Sequence, residues 1–240
     1  MQTILNATPA KVARVFNNAG KQIKYRQRII DAIIDEYGPL VFHNERQFIS
    51  LGGEQVNAKG KLIEGTELHH LRSVGLFNKA CEHNYISVER DIDVHAKNSK
   101  YEGPTWVRGT LRSAWGYYRK QKSFLPAVIH ADFCTGIKAN KPTIYSILEN
   151  PAYLPSQRLS HAWNSHRQSV LFIINVLKDN TRVRACGNSL DSRPRRSLER
   201  QVRWQMLLTA MNIDLIDSFS YVGRTKASTM QTMIYRLSPL

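Results

Sequence analysis

Residues 170–176 read as a continuous apolar run. A strand without a polar face is one covered on both sides, as in the middle of a parallel sheet. The rest of the chain supplies the covering helices and the neighbouring strands. Short apolar segments at 47–51, 85–88, 105–107 and 125–131 alternate with helical stretches at 66–75, 111–122 and from Pro142 to the residue before Pro151. Residues 198–211 are helical in pattern, and 213–221 and 232–237 read as two closing strands joined by a Gly-Arg-Thr-Lys turn. This alternation predicts an α/β fold: a Rossmann-like, mostly parallel sheet with helices on both faces. Proline at the opening of the third helix and glycine at the close of the first are the expected helix punctuation.

Ahead of this series, residues 21–37 form a helix with Arg26, Ile30, Ile33, Ile34 and Tyr37 on one face,. The sequence therefore divides into a basic helical N-terminal extension, residues 1–45, and a main domain, residues 46–240. Lys21, Lys24, Arg26 and Arg28 crowd the first half of that helix. Cations there oppose the helix dipole, so either a solvated face or a phosphate partner accounts for them. With 42% hydrophobic residues in 240, the composition is not that of a chain with long disorder. No apolar run approaches the ~20 residues of a membrane span, and the N-terminus carries no signal-peptide pattern. Cys81, Cys134 and Cys186 are too far apart for a Cys-x-x-Cys site, which fits a reducing, cytoplasmic setting. His69 and His70 diverge by about 100° on a helix, and His161 and His166 match no ligand spacing, so no metal site is expected.

In a sheet of this kind ligands bind beyond the carboxyl ends of the strands. After the first strand stand Leu51, Gly52, Gly53 and Glu54; after the second, Glu89 and Arg90; after the fourth, Asp132 and Phe133. Glycines let backbone approach a ligand closely, and an acid at a strand end accepts hydrogen bonds from ribose hydroxyls. A plain turn at Gly52-Gly53 and pairing of Glu89 with Arg90 or Lys97 are the competing structural readings.

The order of these elements resembles the class I S-adenosylmethionine-dependent methyltransferases. Three pieces carry the resemblance: the Leu51-Gly52-Gly53 turn, the strand end at Ile86-Ser87-Val88-Glu89, and the strand end at Ala131-Asp132-Phe133. The resemblance implies a sheet of about seven strands whose last strand is antiparallel, and S-adenosylmethionine as cofactor. It also implies Gly52 and Gly53 beneath the methionine moiety, Glu89 on the ribose, Asp132 beside the reacting atoms, and Phe133 stacked on a base or the adenine. Asp132-Phe133-Cys134-Thr135 differs from the Asp/Asn-Pro-Pro-aromatic tetrad of enzymes that methylate base amino groups. A catalytically inert protein on the same fold, binding nucleic acid or a macromolecular assembly, is therefore the alternative. Cys134 lacks the preceding proline of cytosine carbon-five enzymes and reads as a structural cysteine.

The formal net charge is +15, and a potential of that sign attracts polyanions. Nucleic acid is the expected partner. Arg193, Arg195, Arg196, Arg200 and Arg203 form the strongest basic segment, with Arg196, Arg200 and Arg203 on one helical face,. Arg119, Lys120 and Lys122, flanked by Trp115, Tyr117 and Tyr118, form a second patch whose rings could stack on unpaired bases,. A solvated basic face with inward rings is the plain alternative for both.

Overall fold

The computed structural model describes residues 19–43, 45–121, 123–133, 137–148, 169–177, 211–222 and 229–239. The central apolar run becomes β5 (Val170–Leu177), and it lies inside a sheet of seven strands. The others are β1 (Gln47–Ser50), β2 (Tyr85–Glu89), β3 (Thr105–Arg108), β4 (Pro126–Asp132), β6 (Met211–Val222) and β7 (Thr229–Pro239). Their spatial order is β3-β2-β1-β4-β5-β7-β6. All neighbours are parallel except at β7, which runs antiparallel to both β5 and β6. This is the α/β sheet expected from the sequence, with its reversed last strand. The strand order turns back between β1 and β4, which makes that junction the topological switch point.

Helices α1 (Ala19–Tyr37), α2 (Glu67–Ser73), α3 (Ile92–Asn98), α4 (Leu111–Tyr118) and α5 (Ile137–Leu148), with short 3-10 turns at Val41–His43 and Glu82–Asn84, complete the described elements. Side-chain alternation along the strands builds two cores. On one face Phe48, Tyr85, Val128, Leu171, Ile173 and Ile234 pack under α1 and α2, meeting Ile29, Ile30, Ile33, Leu68 and Leu71. On the other Ile49, Ile86, Ile129, Phe172 and Ile174 pack under α4 and α5, meeting Leu111, Trp115, Ile144 and Ile147. Each such aliphatic side chain, buried in full, contributes about 1.5–3 kcal/mol.

The helix in the N-terminal extension thus covers one face of the sheet. It is also tied there by ion pairs: Arg236 makes a two-pronged contact with Glu36 at 2.6–3.0 Å, and Arg28 does the same with Asp217 at 2.6–3.1 Å. Arg28 also lies 4.0 Å from the centre of the Phe219 ring, and Arg26 is buried. These contacts give Arg28, one of the cations in that helix, an intramolecular reason.

One local expectation is corrected, and two helices start in ways the local pattern does not show. Pro142 sits inside α5 rather than opening it; the helix starts a turn and more earlier and tolerates the lost amide because Ile144, Ile147 and Leu148 are buried in the core,. α3 has no apolar stripe to announce it, since Ile92 is exposed and only Asn98 is buried among its residues. Its start is set by Asp91, whose carboxylate accepts the Asp93 and Val94 amides,. Thr66 stands at the N-cap of α2 without capping it, because its hydroxyl donates to the Ile63 carbonyl. Gln55 caps instead: its Oε1 accepts the Leu68 amide at 3.1 Å.

Candidate functional site

The carboxyl ends of β2, β1 and β4 lie side by side at the switch point, so the segments carrying Glu89, Gly52 and Asp132 share one edge of the sheet. The register makes this more specific. Ser50 stands opposite Ser87 on one side and His130 on the other. Asp132 stands opposite Asn175, and Asn175 opposite Thr232. By strand alternation all of these point to the α1/α2 face. The inner part of that face is apolar, and its last two rows, toward the carboxyl edge, are polar.

The first polar row is organised by Glu67, the first residue of α2, which is buried. Its Oε2 accepts the Ser50 hydroxyl at 2.6 Å and the Tyr85 hydroxyl at 2.7 Å. Its Oε1 meets Nδ1 of His130, and the opposite ring nitrogen of His130 is 2.8 Å from the Tyr25 hydroxyl. Burial alone would raise the Glu67 carboxyl, but the charge and hydrogen bond of His130, with those of Ser50 and Tyr85, bring it down from 4.5 to about 2. Burial pushes His130 the other way, toward neutrality, and the Glu67 charge outweighs it, so the imidazole is raised above 6.5. At pH values between the two, the pair is a buried carboxylate and imidazolium,. Glu67 is not among the site residues expected from the sequence. The missed signal was a histidine, His130, inside an apolar strand.

The second row belongs to Asp132. Its Oδ1 accepts Nδ2 of Asn175 at 2.5 Å, and that amide also reaches the Tyr221 hydroxyl at 2.7 Å. Thr232 donates to Oδ1 of Asn175 at 3.3 Å. Burial raises the Asp132 carboxyl above its usual range, against the opposing charge of His130 and the Asn175 hydrogen bond. Phe133 does not share that side. Alternation turns its ring to the α4/α5 face, where it is 7% exposed within the core, so it is not the free stacking ring the sequence suggested.

The turn after β1 is fixed from several directions. A Cβ on Gly52 would fall 2.6 Å from Oγ of Ser87 and 2.9 Å from the Tyr85 hydroxyl, so only glycine fits. Gly53 has φ +57°. Nε2 of Gln55 donates to the Gly52 carbonyl. Asn98 of α3 donates to the Gly53 carbonyl at 2.8 Å and accepts the Gln55 and Val56 amides at 2.9 and 3.1 Å. Leu51 is half-buried, and its amide donates to the His130 carbonyl at 3.1 Å. Lys97 pairs with Glu54 at 2.8 Å rather than with Glu89. Glu89 is half-buried, and its Oε1 accepts the Asp91 amide at 2.7 Å. Its Oε2 has no partner among the described residues, and Arg90 is exposed. Oγ of Ser87, buried beside Gly52, also has no partner among the described residues. The open carboxylate oxygen of Glu89, at the end of β2, can accept a hydrogen bond from a ligand hydroxyl.

The basic residues lie elsewhere. Arg119 and Lys120 follow α4, which leaves the carboxyl edge after β3 and runs back across the sheet. Gln47, at the start of β1, donates to the nearby Ser123 carbonyl at 3.2 Å, so this patch sits by the amino edge. Of its rings Trp115 is fully buried, Tyr118 is half-buried and Tyr117 is exposed. Lys122, Cys134, Arg193, Arg195, Arg196, Arg200 and Arg203 lie outside the described residues. Among the described residues no three His, Cys, Asp or Glu side chains converge as a metal site requires, and no helix is long and apolar enough to cross a membrane.

No family model matches this sequence, and no curated protein is similar to it. Among solved structures the chain is similar to Trm5b from Pyrococcus abyssi, with 6% identity and a TM-score of 0.43. That likeness covers 91% of this chain and 49% of the other, so this chain spans about half the length of that protein.

Proposed function

We propose that this chain is an S-adenosylmethionine-dependent methyltransferase-like protein acting on nucleic acid. One observation carries the reading. Gly52, Glu89 and Asp132 follow three adjacent parallel strands at the switch point of a seven-stranded sheet whose only reversed strand is β7. The basic balance of the chain, +15, supports a polyanionic substrate,.

In this reading the free Oε2 of Glu89 accepts hydrogen bonds from the ribose hydroxyls, and Ser87 stands behind it. The backbone at Gly52 and Gly53, already fixed by Gln55 and Asn98, forms the floor beneath the methionine moiety. When bound, the cofactor supplies an electrophilic methyl group. Asp132 orients the acceptor. Because burial raises its carboxyl, it is a better proton acceptor than an exposed aspartate would be. Asn175 holds that carboxyl in place, and Tyr221 and Thr232 hold Asn175. Alignment of donor and acceptor is the main contribution expected of such a site.

Titration calorimetry with S-adenosylmethionine and with its demethylated product tests this. Wild type should release heat with both, and Glu89→Ala should lose most of it. A wild-type protein that binds neither ligand, while still binding nucleic acid, would establish the inert alternative. That alternative has its own support. The space a side chain on Gly52 would occupy is filled by Ser87 and Tyr85, so the glycine is required by packing whether or not a ligand passes over it.

A further inference from the structure

Helix α4 carries a glycine that its own packing does not explain. Gly116 stands one turn after Arg112, in a helix that buries Leu111, Ala114 and Trp115. Apart from its own helix backbone and chain neighbours, a Cβ there would meet no atom of the described residues within 4 Å. Glycine inside a helix is costly relative to alanine. Where neither a positive φ nor a crowded neighbour demands it, the remaining use is a flat spot that something approaches closely.

The neighbours of that spot are specific. Tyr117 is 61% exposed, one of the few large rings left in solvent. Its ring is set by Tyr118, whose ring meets it edge-on at 5.2 Å and 85°. Tyr118 in turn lies 5.5 Å from Phe124, which is buried and packs on Trp115 at 5.8 Å. The exposed ring is thus braced by a chain of three others reaching into the core. Arg112 and Lys120 are exposed at either end of the same face, and neither has an ion-pair partner among the described residues. Carboxylates are missing from α4 and the turn after it, from Leu111 to Lys120.

We infer that this face, with Arg112, Gly116, Tyr117 and Lys120, is a stacking platform for an unpaired nucleotide of single-stranded nucleic acid. Tyr117 offers the ring on which a base stacks, Gly116 leaves room for the base or sugar beside it, and the two cations flank the phosphates. The inference rests on the nucleic-acid half of the proposed function and not on methyl transfer. A duplex keeps its bases stacked inside and gains nothing from the ring. Charge complementarity to phosphate, together with the braced ring, favours nucleic acid over an acidic peptide, for which the empty glycine surface serves no purpose.

The test is binding of a fluorescent 12-nucleotide oligothymidylate and of a duplex of the same length to the full chain at ~0.1 M salt. Wild type is expected to prefer the single strand. Tyr117→Ala should weaken single-strand binding about tenfold, the loss of one stack, with little change for duplex; Tyr117→Phe should bind like wild type. Gly116→Ala should raise the thermal midpoint by a few degrees yet weaken the single strand, so instability cannot explain the loss. If wild type binds oligonucleotide and Tyr117→Ala and Gly116→Ala bind it equally well, the platform is overturned while the nucleic-acid reading stands. If wild type binds neither probe, the nucleic-acid reading falls with it. Competition by polyglutamate that is as sensitive to Tyr117→Ala as oligonucleotide binding would assign the surface to an acidic protein and overturn the inference.

Discussion

Replacing Glu67 by glutamine removes one charge and almost no volume, and so isolates the electrostatics of the buried row beneath the switch point. In the native protein the carboxylate holds three partners: the Ser50 and Tyr85 hydroxyls and the His130 ring. A carboxyl lowered from 4.5 to about 2 on folding contributes about 3 kcal/mol at neutral pH, at ~1.4 kcal/mol per pH unit,. The sign follows from the direction. The contribution is complete above about 4.5, shrinks as pH falls below that value, and is gone once pH has passed through about 2,. His130 moves oppositely: its share is complete below 6.5 and is lost as pH rises through its higher folded value. One ion pair drives both shifts, so the energy is counted once, and the pair is worth most between about 4.5 and 6.5. In Glu67→Gln the amide oxygen can still accept Ser50 and Tyr85, and the amide nitrogen can donate to a neutral His130 that keeps Tyr25 on its other nitrogen. Shape and hydrogen bonds survive while the charge term is lost. Urea unfolding followed by tryptophan fluorescence at pH 3, 5.5 and 8 reads the difference. At pH 5.5 the variant should lose about 3 kcal/mol, a fall of about 1 M or more in midpoint. Its acid limb should be flatter than that of wild type. Equal midpoints and parallel acid limbs would refute the claim that Glu67 and His130 are an ion pair.

Gly52→Ala should cost about 1–3 kcal/mol through overpacking against Ser87 and Tyr85,. Ser87→Ala alone should be close to neutral, since its hydroxyl lacks a partner among the described residues, and the double variant should recover part of the loss in the same urea assay. Asp132→Asn is expected to raise stability at neutral pH, because the native carboxyl is raised on folding. That penalty is absent at low pH and grows as pH rises through the folded value. In the proposed function the same variant keeps cofactor heat in calorimetry and loses methyl transfer to nucleic acid; unchanged transfer would remove Asp132 from the mechanism. Thr110→Ala deletes the side-chain acceptor of the Ser113 amide at the start of α4. It should cost about 1 kcal/mol, seen as a fall of ~2–4 °C in thermal midpoint.

Strands β1, β2, β4, β5 and β7 were legible because each buries residues on both faces, and Phe48, Ile49, Ile129 and Phe172 have no polar side to hide. That one property carried the sheet and its strand ends. What stayed hidden depends on partners distant in sequence. Glu67 and His130 are 63 residues apart and Asp132 and Asn175 are 43 apart, and no local pattern announces such pairs. α3 escaped periodicity because Ile92 points to solvent. The start of α2 carries no local cap because Gln55, from another segment, accepts the Leu68 amide. Phe133 was named for its place in the chain, and alternation assigned its ring to the opposite face.

Asn98 reaches from α3 to three backbone groups of the segment after β1. A stretch that would otherwise be free to rearrange is stitched to the next crossover before any guest arrives. Whatever docks over those two strand ends meets a wall already set, and little affinity is spent on ordering it. Loosening that stitch should therefore show itself as slower, weaker capture of a small molecule, with the chemistry of the pocket otherwise intact.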